Sequence, residues 1–491
     1  MSAPIDADGT ETSSGRRRGK SQRFNHYCYN GPLMDSGSIP DDVTHMKVQE
    51  GVTTIHEQAF CSKRRLVSVY IPPSVKTIGN DAFQDCPKLE AIAFSEGLEE
   101  IGKYSFQECK SLTSLTIPRS VRRIHNEAFG GCSSLRSIQL PVGLEEIAEN
   151  SFQKCRLLTS LTIPTTVRRI QYRAFFECSS LISIEMREGL EEIGEASFGR
   201  CESLTSLTIP TTVRRIRDGA FCGCSSLVSI ELAEGLETIG YFSFKNCRSL
   251  TSVTIPTTVR RIYPEAFCGC SSLVSIELRE GLEEIGECSF GYCESLTSVT
   301  IPTTVRRIKK RAFAECSSLV SIELPEGLEE IEECSFQDCR SLTSLKIPTT
   351  VRKIHPGAFS GCPSLLSIQL PIGLTAPFDA SRIFDPSCMP MSIRLSIGPT
   401  RYFELLSKDD IPKHDENRDL VLRGQWSTEM LRVFQAAHIL VYKTLPLRHL
   451  AMFVERCNGE PDAIFYFLSQ TYSQLRMAPS RMTMQQQSDQ N

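Results

Sequence analysis

Hydrophobic residues recur along the chain with a period of 23 residues. Phenylalanine marks the period most clearly, since it stands at every 23rd position from Phe60 to Phe359, in 14 consecutive units. A leucine follows each Phe by six residues, and a cysteine follows by three in every unit but the first, where Lys63 replaces it. Fixed periods of about 20–29 residues are typical of leucine-rich repeats. The pattern therefore predicts a stack of similar coils.

One unit indicates how each coil is built. From Leu112, alternating hydrophobic positions predict a short strand with one buried face. Pro118 ends this strand, because proline has no N–H to donate to a neighbouring strand. A single coil buries too little hydrophobic surface to be stable alone, so each coil must stack on its neighbours. The interior positions that follow the strand are Val121, Ile124, Ala128, Phe129 and Cys132.

The pattern begins before the first Phe, because Val43, Met46 and Val48 keep the same register. We therefore expect about 15 coils and a solenoid roughly 70 Å long, given a strand spacing of about 4.8 Å. The predicted divisions are an N-terminal tail and cap (1–38), the solenoid (39–376), a degenerate capping repeat (377–399), a helical C-terminal module (400–476) and a disordered tail (477–491).

The C-terminal module is predicted from helical hydrophobic periodicity and from proline and glycine boundaries. Its helices are expected at 429–442, 447–457 and 462–475, and residues 392–397 are expected to add a last strand over the open end of the solenoid. The helices either cover that end or bind a partner. We favour the cover, because the ends of solenoids need one.

The repeat resembles a known family. The segment from Val75 to Cys86 reads V-K-T-I-G-N-D-A-F-Q-D-C, which matches the motif of the BspA-like, or Treponema pallidum-type, leucine-rich repeat. The resemblance extends over residues 43 to about 374. It implies an α/β-type leucine-rich repeat solenoid, a right-handed curved superhelix that serves for binding and is often a bacterial surface protein.

A second period of 46 residues concerns charge. The pair of residues after each Val or Leu of the second wall is alternately basic and acidic. Equivalent residues of stacked coils lie about 5 Å apart, so each basic pair is expected between acidic ones. We interpret this as an ion ladder that fixes the register and not as a basic stripe for nucleic acid. Its members include Arg122-Arg123, Glu145-Glu146, Arg168-Arg169, Glu191-Glu192, Arg214-Arg215 and Glu237-Thr238.

Composition agrees with an ordinary globular protein, at 40% hydrophobic and 23% charged residues with a net charge of −4. The basic run from Arg16 to Lys20 is a nuclear address, a weak contact with an anionic surface or, as we favour, a solvated disordered tail. Neither a signal peptide nor an apolar membrane span is visible. The expected location is therefore the cytoplasm, with the nucleus left open, and no membrane or nucleic-acid partner is predicted.

Catalytic and cofactor motifs are absent from the sequence, so a non-enzymatic protein without a cofactor is predicted. The 21 cysteines are interpreted as small buried hydrophobic residues, since a reducing compartment disfavours disulfides. Of the Cys-Gly-Cys pairs at Cys222 and Cys268, one member is expected in the periodic column and the other outside it. A metal site is disfavoured there. A hydrolase with a cysteine nucleophile remains an alternative that thiol reactivity tests.

The predicted function is a protein-interaction scaffold, and the alternative is an exported cell-surface adhesin of the BspA type. The exposed strand positions repeat Thr-Ser-x-Thr and Val-Ser-x-Glu, which offers a partner many equivalent registers. Binding hot spots favour aromatic residues and arginine, which are found towards the two ends of the chain. The candidate partner-binding residues are Arg64, Arg65, Tyr70, Phe465, Tyr466 and Phe467.

Overall fold

The computed structural model describes residues 25–31, 39–371, 383, 392–398, 401–406 and 420–423. The chain winds into a parallel β-solenoid of about 15 turns of about 23 residues, as predicted. Each coil contributes one strand to a first side of the solenoid and a two-residue strand to a second side. The strands of each side stack in chain order, and their hydrogen bonds divide the first side into five sheets and the second side into two. We call the two sides the first sheet and the second sheet. The periodic Phe lies in the turn that leads from the second sheet back to the first, which we call the Phe turn.

The first-sheet strands bury every second residue. In β8 (Ser114–Thr116), Leu115 is buried between two exposed neighbours. The other first-sheet strands are β1 (His26–Tyr29), β2 (His45–Val48), β4 (Ser68–Ile71), β6 (Ala91–Phe94), β10 (Ser137–Gln139), β12 (Ser160–Thr162), β14 (Ser183–Glu185), β16 (Ser206–Thr208), β18 (Ser229–Glu231), β20 (Ser252–Ile255), β22 (Ser275–Leu278), β24 (Ser298–Thr300), β26 (Ser321–Glu323), β28 (Ser344–Lys346) and β30 (Ser367–Pro371).

The second-sheet strands pair in parallel with a shift of 23 residues, for example Ile147 with Ile170. The periodic Ile is the second residue of each strand and points to the interior, as predicted. These strands are β3 (Thr54–Ile55), β5 (Thr77–Ile78), β7 (Glu100–Ile101), β9 (Arg123–Ile124), β11 (Glu146–Ile147), β13 (Arg169–Ile170), β15 (Glu192–Ile193), β17 (Arg215–Ile216), β19 (Thr238–Ile239), β21 (Arg261–Ile262), β23 (Glu284–Ile285), β25 (Arg307–Ile308), β27 (Glu330–Ile331) and β29 (Lys353–Ile354).

The periodic phenylalanines form one continuous column in the core. All 14 rings are fully buried, and neighbouring rings stack face to face. The ring centroids of Phe60 and Phe83 are 5.1 Å apart with planes 6° from parallel, and those of Phe336 and Phe359 are 5.5 Å apart at 6°. Buried aromatic pairs of this kind contribute stability beyond their buried area. The column therefore couples each coil to the next.

The periodic cysteines form a second column, which does more than fill space. Each of the 13 thiols lies within hydrogen-bond distance of the Phe carbonyl of the preceding coil, such as Cys132 Sγ to Phe106 O at 3.3 Å. The S–H group thus satisfies a buried acceptor that the turn leaves partly free. The other column members are Cys86, Cys109, Cys155, Cys178, Cys201, Cys224, Cys247, Cys270, Cys293, Cys316, Cys339 and Cys362.

Backbone hydrogen bonds also join the Phe turns of neighbouring coils, with the N–H groups of one coil donating to carbonyls of the next. The N–H groups of Asp81, Phe83 and Asp85 donate to carbonyls of the next coil at 2.7–2.9 Å. The residues two before and two after each Phe have left-handed φ angles between 50° and 78°, and 22 of these 28 positions hold residues other than glycine. Left-handed conformations cost such residues roughly 1–2 kcal/mol each. The aligned inter-coil hydrogen bonds offset that strain.

The N-terminal end is closed by β1, which lies inside the predicted tail and cap and pairs in parallel with β2. Tyr29 is fully buried, and its ring contacts Phe60 edge to face at 5.2 Å, so it covers the first ring of the column. Lys63 takes the cysteine position of this coil. Its buried Nζ donates to Ile39 O at 2.7 Å and to Asp41 Oδ1 at 2.8 Å. The break in the cysteine pattern is therefore an end cap.

The C-terminal end contains the strand predicted at 392–397, although it is not the last strand of its sheet. Strand β31 (Ser392–Gly398) pairs in parallel with β30, in the register Ser392 to Ser367. Two further strands, which the sequence pattern did not predict, extend the sheet: β32 (Arg401–Leu406) is antiparallel to β31, and β33 (Leu420–Arg423) is parallel to β32. The predicted helices at 429–442, 447–457 and 462–475 lie outside the described residues.

Candidate partner-binding surface

The exposed face of the first sheet forms most of its polar contacts with itself. Thr162 Oγ1 donates to Glu185 of the next coil at 3.0 Å, and Thr254 Oγ1 donates to Glu277 at 3.0 Å. Arg187 Nε also contacts Glu185 at 3.0 Å and lowers the pKa of that carboxyl. Small side chains with internal partners offer few anchors to another protein.

The second sheet carries the predicted ion ladder. Its strands place Arg169 between Glu146 and Glu192, so basic and acidic residues alternate from coil to coil. The residues one position earlier form ion pairs between coils, such as Arg168 Nη1 to Glu191 Oε1 at 2.8 Å. Further pairs are Arg214–Glu237 at 2.9 Å, Arg260–Glu283 at 3.3 Å and Arg306–Glu329 at 3.8 Å. The ladder neutralises its own charge.

The ladder has a third column that the 23-residue pattern does not reveal. Each Glu in the strand position is contacted by the residue 25 positions later, just after the strand of the next coil. Arg217 Nε contacts Glu192 at 2.8 Å, and His355 Nε2 contacts Glu330 at 2.6 Å, which lowers the pKa of Glu330. The remaining pairs are His125 with Glu100, Gln171 with Glu146 and Lys309 with Glu284.

Between Glu100 and Glu330, one coil departs from this arrangement. Thr238 takes the place of the acidic residue, and the residue 25 positions later is Tyr263 instead of His, Gln, Arg or Lys. The ring of Tyr263 lies 5.1 Å from that of Tyr241, whose ring is 6.3 Å from that of Phe242. Tyr241 and Phe242 are 40% and 38% exposed. We call Tyr241, Phe242 and Tyr263 the aromatic patch.

Charged groups border the aromatic patch. Lys245 Nζ lies 5.1 Å from the centre of the Phe242 ring, a cation–π distance, and 2.5 Å from Glu265 Oε2. Next to them is an open groove of about 650 Å³ whose lining includes Lys245, Glu265, Tyr292 and Arg311. Tyr292 is 45% exposed. Exposed aromatic rings beside paired charges are the composition of binding hot spots.

A second cluster of this type lies on earlier Phe turns. The guanidinium of Arg173 is 4.9 Å from the ring centres of both Tyr172 and Phe176, and that of Arg200 is 5.8 Å from Phe176. Both clusters occupy positions that flank the periodic Phe. The Phe-turn side therefore presents different residues on different coils, unlike the first sheet.

The residues predicted at the N-terminal end are exposed but make separate contacts. Arg64 and Arg65 lie in the first Phe turn, where Arg64 Nη2 is 3.4 Å from Asp85 Oδ2. Tyr70 lies on β4 of the first sheet, with Lys47 Nζ 5.6 Å from its ring centre. The C-terminal candidates Phe465, Tyr466 and Phe467 lie outside the described residues, so their role stays a prediction.

Sequence reasoning missed the aromatic patch because it compared only the strand positions among repeats. The residue two before each Phe is of ten different types in the 14 coils, whereas the first residue of the first-sheet strand is Ser in 13 of the 14 units from Ser68 to Ser367. That contrast in variability between repeat positions is visible in the sequence. The joint departure at Thr238 and Tyr263 becomes meaningful only with the spatial pairing of residues 25 apart.

Among the residues that the structure describes, no helix is long and apolar enough to cross a membrane. Nor do three or more His, Cys, Asp or Glu side chains in the described part of the chain converge in a way that would hold a metal ion. The Cys-Gly-Cys prediction is confirmed, since Cys224 and Cys270 belong to the cysteine column whereas Cys222 and Cys268 lie outside it.

Comparison with known proteins agrees with the repeat geometry. The family model for the BspA type leucine rich repeat region matches residues 41–156, 99–210, 191–294 and 283–379, overlapping stretches that cover more than half of the chain. No curated protein matches the chain.

Among solved structures, a leucine-rich repeat protein from Bacteroides ovatus is 26% identical, with a TM-score of 0.56, over 77% of this chain and 94% of that chain. A leucine rich cell surface protein from Faecalibacterium prausnitzii is 26% identical over 70% and 89%, with a TM-score of 0.39. The T. pallidum leucine rich repeat protein is 26% identical over 42% and 77%, with a TM-score of 0.26. The first of these likenesses supports the solenoid fold.

Proposed function

The chain belongs to the BspA-type leucine-rich repeat family, and from this premise we propose that it is a non-enzymatic scaffold that binds a protein partner through its Phe-turn side. The observation that carries the proposal is the aromatic patch, which lies where the ion ladder is interrupted. Leucine-rich repeat solenoids present extended surfaces for binding, and this surface differs from coil to coil.

The physical support is a contrast in what each surface can offer. A partner on the first sheet meets nearly the same Ser and Thr groups in every coil, whereas Tyr241, Phe242 and Tyr263 occur together at one place. Burial of partly exposed aromatic rings supplies much of the free energy of protein association. The ion pairs of the ladder hold the coils in register on both sides of the patch.

The test uses the full chain as bait and measures how recovery of each bound protein depends on the patch. Phe242→Asn removes the exposed ring, and asparagine tolerates the left-handed φ of 56° at this position. The control is Tyr104→Asn, because Tyr104 is the equivalent aromatic residue of another coil, with a φ of 55°. A specific partner is expected to bind the wild type and the control alike.

We expect Phe242→Asn to weaken binding of that partner at least tenfold, as loss of a hot-spot ring does. Equal binding by all three proteins would contradict the placement of the site. Loss with both variants would show that the substitutions act on folding, and circular dichroism and thermal unfolding of each variant separate that case.

The location inside the cell is part of the proposal and rests on cysteine usage, because the column thiols serve as buried hydrogen-bond donors and not as disulfides. The alternative is an exported adhesin, which family membership favours. Protease treatment of intact cells distinguishes the two, because the protease cuts a solenoid on the cell surface but does not reach one inside the cell. Digestion on intact cells would favour the adhesin.

A further inference from the structure

Two cysteines outside the cysteine column face each other across neighbouring coils. Cys268 comes one residue after Phe267, and Cys288 comes two residues before Phe290. Their sulfur atoms are 3.6 Å apart. Formation of a disulfide would require these atoms to approach to about 2.05 Å.

The surroundings distinguish this pair from the column thiols. Burial raises the pKa of Cys132 and of Cys178 to about 12, so these thiols stay protonated and closed to solvent. Cys288 is partly exposed and Cys268 is buried, and the hydrogen bond between their sulfur atoms lowers the pKa of Cys288 and raises the pKa of Cys268. Thiolates are the reactive form in disulfide exchange.

The pair opens into the groove beside the aromatic patch. Its volume of about 650 Å³ is within the size range of small-molecule sites. The charged residues of the groove balance, because its lining holds three basic residues (Lys245, Arg248 and Arg311) and three acidic ones (Glu265, Glu287 and Glu294). A small disulfide that carries both carboxylates and ammonium groups, such as oxidised glutathione, pairs with a lining of both signs.

We propose that Cys268 and Cys288 are a redox-active dithiol that exchanges with a small zwitterionic disulfide and forms a bond between neighbouring coils. The Cys288 thiolate attacks one sulfur of the small disulfide, so a mixed disulfide forms and one thiolate leaves. Cys268 then loses its proton and attacks the Cys288 sulfur, and the second thiolate leaves. The protein loses two electrons, and the small disulfide gains them to become two thiols.

The chain contains matched sites that lack the second thiol. In each coil the residue after Phe faces the residue two before the next Phe, as Gln107 faces Glu127. By the same register, Cys222 faces Phe242 and Cys334 faces Ala314. Both control cysteines are partly exposed. They report accessibility to the small disulfide without the possibility of an inter-coil bond.

The test treats the folded full chain with oxidised glutathione, alkylates the remaining thiols and maps tryptic peptides by mass spectrometry. Cleavage after Arg279 separates the two cysteines, so a disulfide joins two peptides. We expect one disulfide between Cys268 and Cys288, reversed by dithiothreitol, and at most glutathione adducts on Cys222 and Cys334. Fragment spectra must place the bond at these residues and not at Cys270 and Cys293.

A Cys268→Ser variant gives an independent result. Without the second thiol, Cys288 is expected to stop at the glutathione adduct. The proposal is overturned if Cys268 and Cys288 stay free under conditions that modify Cys222 and Cys334. It is equally overturned if both take up separate adducts in the wild type, or if the bond joins column cysteines.

Discussion

The first sheet and the Phe turns come from the same 23-residue repeat but differ in what they hold constant. The sheet repeats its exposed Ser and Thr residues, and its Glu side chains bond to the preceding coil. The Phe turns repeat only their interior, Phe and Cys, and change their exposed residues from coil to coil. Exposed variation over a constant interior permits one location to be distinguished from its neighbours. The exposed residues of the first sheet bond neighbouring coils to each other, whereas the exposed residues of the Phe turns make one coil different from the next.

The largest expected loss of stability comes from a substitution in the interior of a Phe turn. Phe221→Ala removes a fully buried ring that stacks on Phe198 and Phe244 at 5.4 Å on both sides. We expect a loss of about 3–5 kcal/mol in the free energy of unfolding, the usual range for buried Phe to Ala. Hydrogen exchange should increase mainly in the neighbouring coils, because coils contact only their neighbours.

The exterior counterpart is Phe242→Asn, which should leave stability almost unchanged. Urea unfolding of both variants measures the contrast. Similar losses for the two would mean that the exposed turn residues also carry the stack, and the comparison between inside and outside would fail.

Two opposite substitutions in the backbone of the Phe turns should change the free energy of unfolding by smaller amounts, with opposite signs. Ala196 and Gly219 occupy the same position, two before Phe, in adjacent coils, with φ angles of 50° and 60°. Ala196→Gly should raise the free energy of unfolding by about 0.5–1 kcal/mol, because strain in the left-handed region is relieved. Gly219→Ala should lower it by a similar amount, since an added Cβ meets only the Cys222 Cβ at 3.8 Å. Thermal unfolding tests both, and equal signs would contradict the account.

The smallest expected losses of stability come from charge reversal in the ion ladder of the second sheet. Arg169 lies between Glu146 and Glu192, whereas Arg215 lies between Glu192 and Thr238. Arg169→Glu therefore creates two like-charge contacts and Arg215→Glu only one. At low salt we expect the free energy of unfolding to fall by about 1 kcal/mol in Arg169→Glu and by roughly half of that in Arg215→Glu. Both losses should shrink as the salt concentration rises towards 1 M, because salt screens exposed charges. Salt-independent losses would mean that the arginines act through packing of their alkyl stems.

The repeat period was sufficient to predict the solenoid, its two walls, the buried Phe and Cys columns and the alternating charges. It was insufficient for features that depend on contacts between non-equivalent positions. The cap at Lys63 requires its contact with Ile39, and the third ladder column requires a spacing of 25. The left-handed turns were hidden because few of those positions hold glycine. The aromatic patch was missed for two reasons, because Thr238 and Tyr263 are related by the spacing of 25 and Phe242 lies at one of the left-handed positions.

The central claim, that an individual Phe-turn surface fixes the partner, is tested most directly by two internal deletions of equal length. Removal of residues 229–274 takes out the aromatic patch, and removal of residues 91–136 does not; each removes 46 residues and rejoins the strands in register. With both proteins shown to fold, we predict that the partner's affinity is unchanged without 91–136 and falls at least tenfold without 229–274. Affinity retained by both, and lost only on removal of 427–475, would contradict the claim and place specificity at the end of the chain.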